Sequence, residues 1–328
     1  MPKKLHWVLS GLTICALYAW PGRAQEQAQT AKPDSPEVLA HIEKAKEIAG
    51  TFWATEEHFL CEAPRADIAA DPGPVKLFDN LYAIPGQYSV TNGVVYVIPT
   101  SAGIMLIDSG HRKDVETVVL AGLKTLGLDP ANIKLIIVTH GHEDHYGGSV
   151  YLQEHYGAHV VLSAADWDFM SNPRPAGRGN AAQPPVLPKR DMIAFEGQPI
   201  TLGDEKVTPV FIPGHTPGSL GLIFRVKEGG KTHVVGIVGG GFIAQGPPSQ
   251  VQQFIDSLQH FEHWTKKMKV DVELQNHPVM DGFADKLAAV RARKPGEPNP
   301  FIVGQENYTK FLDVMSECAK VTLARLKE

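Results

Sequence analysis

The chain has 328 residues, 43% of them hydrophobic and 20% charged, with a formal net charge of -5 at pH 7. That is enough apolar material for a large core, and the mildly acidic balance carries none of the basic excess that nucleic-acid binding requires. No long charge run or low-complexity linker divides the middle of the sequence, so nothing in it demands two separately folding halves.

In chain order, the first 24 residues read as an address. Lys3 and Lys4 form a basic head, Trp7 to Trp20 is an apolar run without charge, and Gly22-Arg23-Ala24 ends in small residues before Gln25. This is the layout of a cleavable secretory signal, with an apolar run too short to span a bilayer comfortably. A mature chain starting near Gln25 in the periplasm or outside the cell is expected, with no membrane span left; an uncleaved membrane anchor is the minor alternative. Removing residues 1–24 also removes Cys15 and leaves Cys61 and Cys318. In an oxidising compartment these two can pair, tying the N-terminal region to the C-terminal helix, or stay as small apolar side chains; sequence leaves both open.

Residues 25–74 form a polar segment followed by a capping helix. Ser35-Pro36-Glu37 is a helix start with a capping serine and a proline in the first turn, and Val38, Ile42, Ala45 and Ala49 follow at helical spacing. The main domain is expected over 75–328. Lys76–Ile84, Gly93–Ile98 and Gly103–Asp108 read as consecutive antiparallel strands, followed by a helix over Asp114–Leu126. Ile133–Val138 is a branched apolar run that reads as a buried strand.

At its end stands Thr139-His140-Gly141-His142-Glu143-Asp144-His145. Open α/β sheets place chemistry at such strand ends. Three imidazoles and a carboxylate crowded into one turn are zinc-ligand types, and they cannot all be buried without a partner for each. Gly147 and Gly148 are expected to let the backbone bend around an ion, with a helix over Gly147–Tyr156. A strand over His159–Ser163 and a short helix over Ala164–Met170 come next. Ser171–Pro188 is a long loop rich in Pro, Gly, Asn and Ala that contains Arg174 and Arg178.

The second half repeats the theme, with strands over Val207–Ile212, Leu220–Val226 and His233–Val238 and a helix from Ser249. Two halves, each a sheet covered by helices, imply an α/β chain folded as a four-layer αββα sandwich with the metal site at one edge between the halves. His233, His260 and His263 match no motif and read as surface or packing residues.

His140-x-His142-x-Asp144-His145, then Pro213-Gly214-His215-Thr216-Pro217-Gly218, then Asn276-His277-Pro278, resembles the metallo-β-lactamase superfamily. The ligand set is most similar to the third subclass of the zinc β-lactamases, and the motif order covers Leu77 to Arg325. The resemblance implies two zinc ions: His140, His142 and His215 would hold one, and Asp144, His145 and His277 the other. Asp108 resembles the aspartate that supports the metal loop from behind, although capping its own turn is an equally physical role. Two zinc ions about 3.5–4 Å apart would share a hydroxide that attacks a polarised carbonyl, with Asp144 as the catalytic group that orients it and relays its proton. In this family the loop at Ser171–Pro188 overhangs the substrate groove, so Arg174, Arg178 or Lys189 could attract a substrate carboxylate; solvated surface charge is the plainer role, and the substrate-binding residues stay unknown.

Many superfamily members that cleave thioesters, lactones or phosphodiesters carry a metal-bridging aspartate between the motifs of His215 and His277. Here that stretch is Val238-Gly239-Gly240-Gly241-Phe242, with no carboxylate, no cysteine and no serine. Electron-transfer members generally place a carboxylate where His142 stands, so an all-imidazole first group suits zinc better than iron. The expectation is a zinc-dependent hydrolase acting on a small molecule, in the first place a β-lactamase opening the β-lactam ring. A lactonase or other cyclic ester or amide hydrolase, and a non-catalytic zinc-binding protein, are the alternatives.

Overall fold

Strand faces explain why the apolar runs are so continuous. In the computed structural model, which describes residues 33–62, 73–86, 93–172, 185–241, 246–294 and 296–327, the central strands are buried on both faces. Residues 1–24, Arg174, Arg178 and Phe242 lie outside the described residues.

The first sheet has seven strands in sequential order: β1 (Val75–Phe78), β2 (Leu81–Pro85), β3 (Val94–Thr100), β4 (Gly103–Ile107), β5 (Ile133–Ile137), β6 (His159–Leu162) and β7 (Met192–Ile193). β1 to β4 pair antiparallel and β4 to β7 pair parallel. The second sheet is β8 (Ile200–Leu202), β9 (Glu205–Phe211), β10 (Leu220–Glu228), β11 (Lys231–Val238) and β12 (Val272–Gln275), in the order β12-β11-β10-β9-β8.

Side chains alternate across each strand. Met105 and Ile107 of β4, with Tyr96, Ile98, Leu135 and Ile137, face the second sheet and meet Leu220, Leu222, Phe224, Val235 and Ile237. Ile104 and Leu106, with Val95, Val97 and Ile136, face the other way, onto an outer layer that includes Val119, Leu123, Leu152 and Trp167. That layer consists of a continuous helical stretch from Arg112 that ends in α3 (Ala121–Thr125), then α4 (Glu143–Tyr156) and α5 (Ala164–Ser171). The outer face of the second sheet, with Val210, Ile212 and Ile223, is covered by α1 (Pro36–Ala49), α6 (Pro248–Met268) and α8 (Gln305–Arg325). α2 (Ala54–Glu57) follows α1, and α7 (Phe283–Ala292) follows β12. The layers therefore run helix, sheet, sheet, helix, as expected for an αββα sandwich.

The helix start at Ser35 is as read from sequence: its Oγ accepts the Val38 amide, and Val38, Ile42, Ala45 and Ala49 form the buried face against α8. A widened turn over His58–Glu62 then brings Cys61 to Cys318, and the two are joined in a disulfide. Of the two options open in sequence, pairing holds. Among the described residues no helix is long and apolar enough to cross a membrane. Lys189 hydrogen-bonds through its backbone to Gln153, ten residues into α4 and so about 15 Å along the helix from Glu143.

Because the disulfide closes a loop of 257 residues, replacing Cys61 and Cys318 by serine should lower the stability to urea by about 2–4 kcal/mol. An unchanged unfolding midpoint would show that the covalent link adds nothing to the packing of α1 on α8.

Candidate metal centre

Six strand and helix ends converge at one edge of the two sheets. β4 stops at Ile107, and Asp108 takes a left-handed conformation (φ 60) that a non-glycine residue adopts only when its surroundings hold it there. Its amide still bonds Ile137 of β5, so the turn stays stitched to the neighbouring strand. Its carboxylate accepts the Thr139 amide at 2.7 Å on Oδ1 and the Thr139 hydroxyl at 2.9 Å on Oδ2. Oδ2 also meets His145 Nδ1 at 2.7 Å.

The polar heptad is only half a loop, which corrects the reading from sequence. α4 begins at Glu143 with His142 as its cap, so Asp144 and His145 occupy the first helical turn, where the helix dipole favours the acidic side chains. Gly147 and Gly148 lie inside α4 and do not wrap an ion. A Cβ on Gly148 would stand 2.2 Å from the Ser109 carbonyl oxygen, and one on Gly147 would stand 2.5 Å from the Arg112 amide nitrogen. The glycines allow the helix to lie directly on the 109–112 segment.

His215 sits in the turn between β9 and β10, closed by Ile212 N–H to Ser219 O and by Gly214 N–H to Thr216 O. His277 follows β12, and its carbonyl accepts the Met280 amide. The chain thus gathers two groups, His140, His142 and His215, and Asp144, His145 and His277, each with ligand-type atoms within 4.8 Å of one another. His142 Nδ1 lies 3.0 Å from His215 Nε2, and His145 Nε2 lies 3.0 Å from His277 Nε2. Asp144 Oδ2 stands 3.4 Å from His145 Nε2 and 3.6 Å from His277 Nε2. The groups adjoin, with the His140 and His145 rings 4.0 Å apart at their centroids.

These spacings fit a divalent cation. Zinc–nitrogen bonds of about 2.0–2.1 Å in a tetrahedron put neighbouring donors about 3.3 Å apart. His140 supplies an independent test, because it is fully buried and its Nε2 has no hydrogen-bond partner among the described residues. The Thr139 hydroxyl donates to Asp108, so it accepts from Asn276 Nδ2 at 3.1 Å and from His140 Nδ1 at 3.2 Å. The proton of His140 therefore sits on Nδ1, and Nε2 turns a lone pair into the site. Burial, reinforced by the neighbouring imidazoles, holds His140 well below the usual histidine range and keeps it neutral.

The second group has the opposite character. Burial pushes the Asp144 carboxyl up, but His145 and His277 outweigh it and hold the group well below the usual carboxylate range. Burial works against a charge on His145, while Asp144 and Asp108 together raise it to about 10. Cation and proton compete for the same Nε2, since a ligating histidine must be neutral there.

Every residue read from sequence as a ligand is thus brought to this edge, and Asp108 lies behind it. Sequence reading missed three residues. Thr139 and Asn276 orient His140, and buried Asp166 in α5 bonds Gly141 N at 2.7 Å and Gly218 N at 2.8 Å. The only sequence signal for Asp166 was Ser163 three residues earlier, a helix cap whose Oγ accepts the Asp166 amide. His233 and His260 pair with Asp271 and Glu196 away from the centre, as surface residues do.

Residues 88–230 match the metallo-β-lactamase superfamily. The structure is similar to the subclass B3 metallo-β-lactamase BJP-1 of Bradyrhizobium japonicum, at 32% identity and a TM-score of 0.63, covering 75% of this chain and 91% of that one. The chain belongs to the metallo-β-lactamase superfamily. Curated relatives include the hydroxyacylglutathione hydrolase of Acidiphilium cryptum, 29% identical over 123 residues (38% of this chain, 44% of that protein). Another is hydroxyacylglutathione hydrolase GloC of Haemophilus influenzae, 29% identical over 131 residues (39% and 61%). This chain therefore spans about half the length of the curated relatives it matches.

In this superfamily member Gly240, two residues past the end of β11, takes a left-handed conformation (φ 84) against His215, where a Cβ would stand 2.8 Å from the His215 side chain. Gly240→Ala should therefore push His215 off its position. It should weaken metal binding by the three-histidine group about 10–100-fold in a chelator competition; unchanged affinity would contradict the tight placement.

Proposed function

We propose that the six side chains hold two zinc ions and that the chain is a zinc-dependent hydrolase whose substrates are β-lactams. The observation that carries this reading is the donor set: three imidazoles beside Asp144, His145 and His277, with glycine where a bridging carboxylate or a cysteine would stand. That pattern is the one resembled in the sequence, and likeness to BJP-1 over most of both chains supports it. A neutral all-imidazole group suits zinc better than the harder cations, which prefer oxygen ligands.

Zinc bound there would supply a Lewis acid to polarise a carbonyl and to acidify water at neutral pH. The chain's own residues do the rest. Thr139 and Asn276 keep His140 in the tautomer that presents Nε2, and Asp108 keeps His145 presenting its own Nε2. In this reading Asp144, still partly open to solvent, orients an attacking water and relays its proton; held well below the usual carboxylate range, it does not retain that proton. The basic head and apolar run of residues 1–24 support export, with zinc acquired outside the cytoplasm.

A second reading, hydrolysis of thioesters, is favoured by the hydroxyacylglutathione hydrolases among the curated relatives. Missing carboxylate chemistry at Gly239–Gly241 weighs against it. Nitrocefin, a glutathione thioester and a lactone panel, each with and without chelator, separate the readings. Nitrocefin turnover that chelator abolishes and zinc restores is expected, and turnover of thioesters or lactones alone would replace the β-lactam assignment. Zinc uptake with no turnover of any of these would sink the hydrolase itself. His142→Ala and Asp144→Ala should each lower kcat/KM by about 10²–10⁴-fold, and full activity in either variant would contradict its assignment.

A further inference from the structure

Three histidines of the first group come from two loops that are not covalent neighbours: His140 and His142 follow β5, and His215 lies between β9 and β10. Something must set the distance between those loops. Between them lies Asp166 in the first turn of α5, fully buried and out of reach of any substrate. Its Oδ2 accepts the Gly141 amide at 2.7 Å and the Thr216 hydroxyl at 2.7 Å, and its Oδ1 accepts the Gly218 amide at 2.8 Å. Gly141 separates His140 from His142, and Thr216 directly follows His215.

Glycine is needed at both contact points. A Cβ on Gly218 would stand 1.9 Å from Ser163 Oγ, and one on Gly141 would stand 2.9 Å from Met170 Cγ. Both loops are thus pressed onto the same helix. A buried carboxyl group that accepts hydrogen bonds from both loops is a directional link, because breaking any of those bonds would leave a buried polar atom unsatisfied.

Resting on the metal-centre reading above, we propose that Asp166 is the positioning residue of the first zinc group, clamping the His140–His142 loop to the His215 loop and so setting that group's affinity. The second group owes nothing to this clamp. Its His145 is oriented by Asp108, its Asp144 belongs to α4, and its His277 hangs from β12. Asp108 serves both groups, directly on His145 and through Thr139 on His140, whereas Asp166 ties the two loops of the three-histidine group to each other.

The test measures zinc affinity by competition with a chromogenic chelator in two single-site backgrounds, His277→Ala, which keeps the first group whole, and His215→Ala, which keeps the second. Adding Asp166→Asn should weaken zinc binding about 10–100-fold in the His277→Ala background and leave it within about twofold in the His215→Ala background. Thr216→Val, which removes one donor and keeps the loop's shape, should show the same selectivity with a smaller loss, and it serves where Asp166→Asn does not fold. Equal losses in both backgrounds would reduce Asp166 to a general stabiliser, and no loss in the His277→Ala background from either variant would overturn the clamp. Failure of the parent chain to bind zinc at all would instead sink the metal-centre reading, and the clamp with it.

Discussion

The Asp108 carboxylate is the constraint on which the edge of the fold depends. It is buried, held in a left-handed turn, and shared between the Thr139 amide, the Thr139 hydroxyl and the His145 ring. Through the hydroxyl it also decides which nitrogen of His140 carries the proton. Three residues of the metal edge thus take their orientation from one buried carboxyl group, and such a group tolerates burial only while its hydrogen bonds are made. The unusual backbone at residue 108 is the strain that this arrangement stores, offset by four hydrogen bonds when the turn's amide is counted.

Much of this was legible in the sequence because two kinds of local pattern were unambiguous. Branched apolar runs such as Ile133–Val138 marked buried strands, and ligand-type side chains at their ends marked the edge where chemistry sits. Ile104 and Leu106 on one face with Met105 and Ile107 on the other show why no polar alternation was visible: both faces meet apolar layers.

What escaped the sequence was set by tertiary contact. In sequence Gly147 and Gly148 read as letting the chain bend around an ion at the start of a helix, yet the helix begins four residues earlier, at Glu143, and the glycines answer to the 109–112 segment pressing on it. Asp166 sits in a stretch whose only local message is a capped helix, and the donors it meets among the described residues arrive from 25 to 52 positions away in the chain. Asn276 likewise acts on Thr139 across 137 residues. Local pattern carries no information about such pairings.

The spread of the six donors along the chain has a consequence for when the centre comes into being. His145 and His277 are separated by 132 residues and follow strands of different sheets, β5 and β12, so the cage is closed only when the two sheets are docked. An ion reaching a half-made chain meets at most the short His140–His145 turn, a poor chelate whose imidazoles are still free to rotate. An ion held by all six donors would therefore need the finished tertiary structure in place, the reverse of small fingers whose metal organises the polypeptide from the outset.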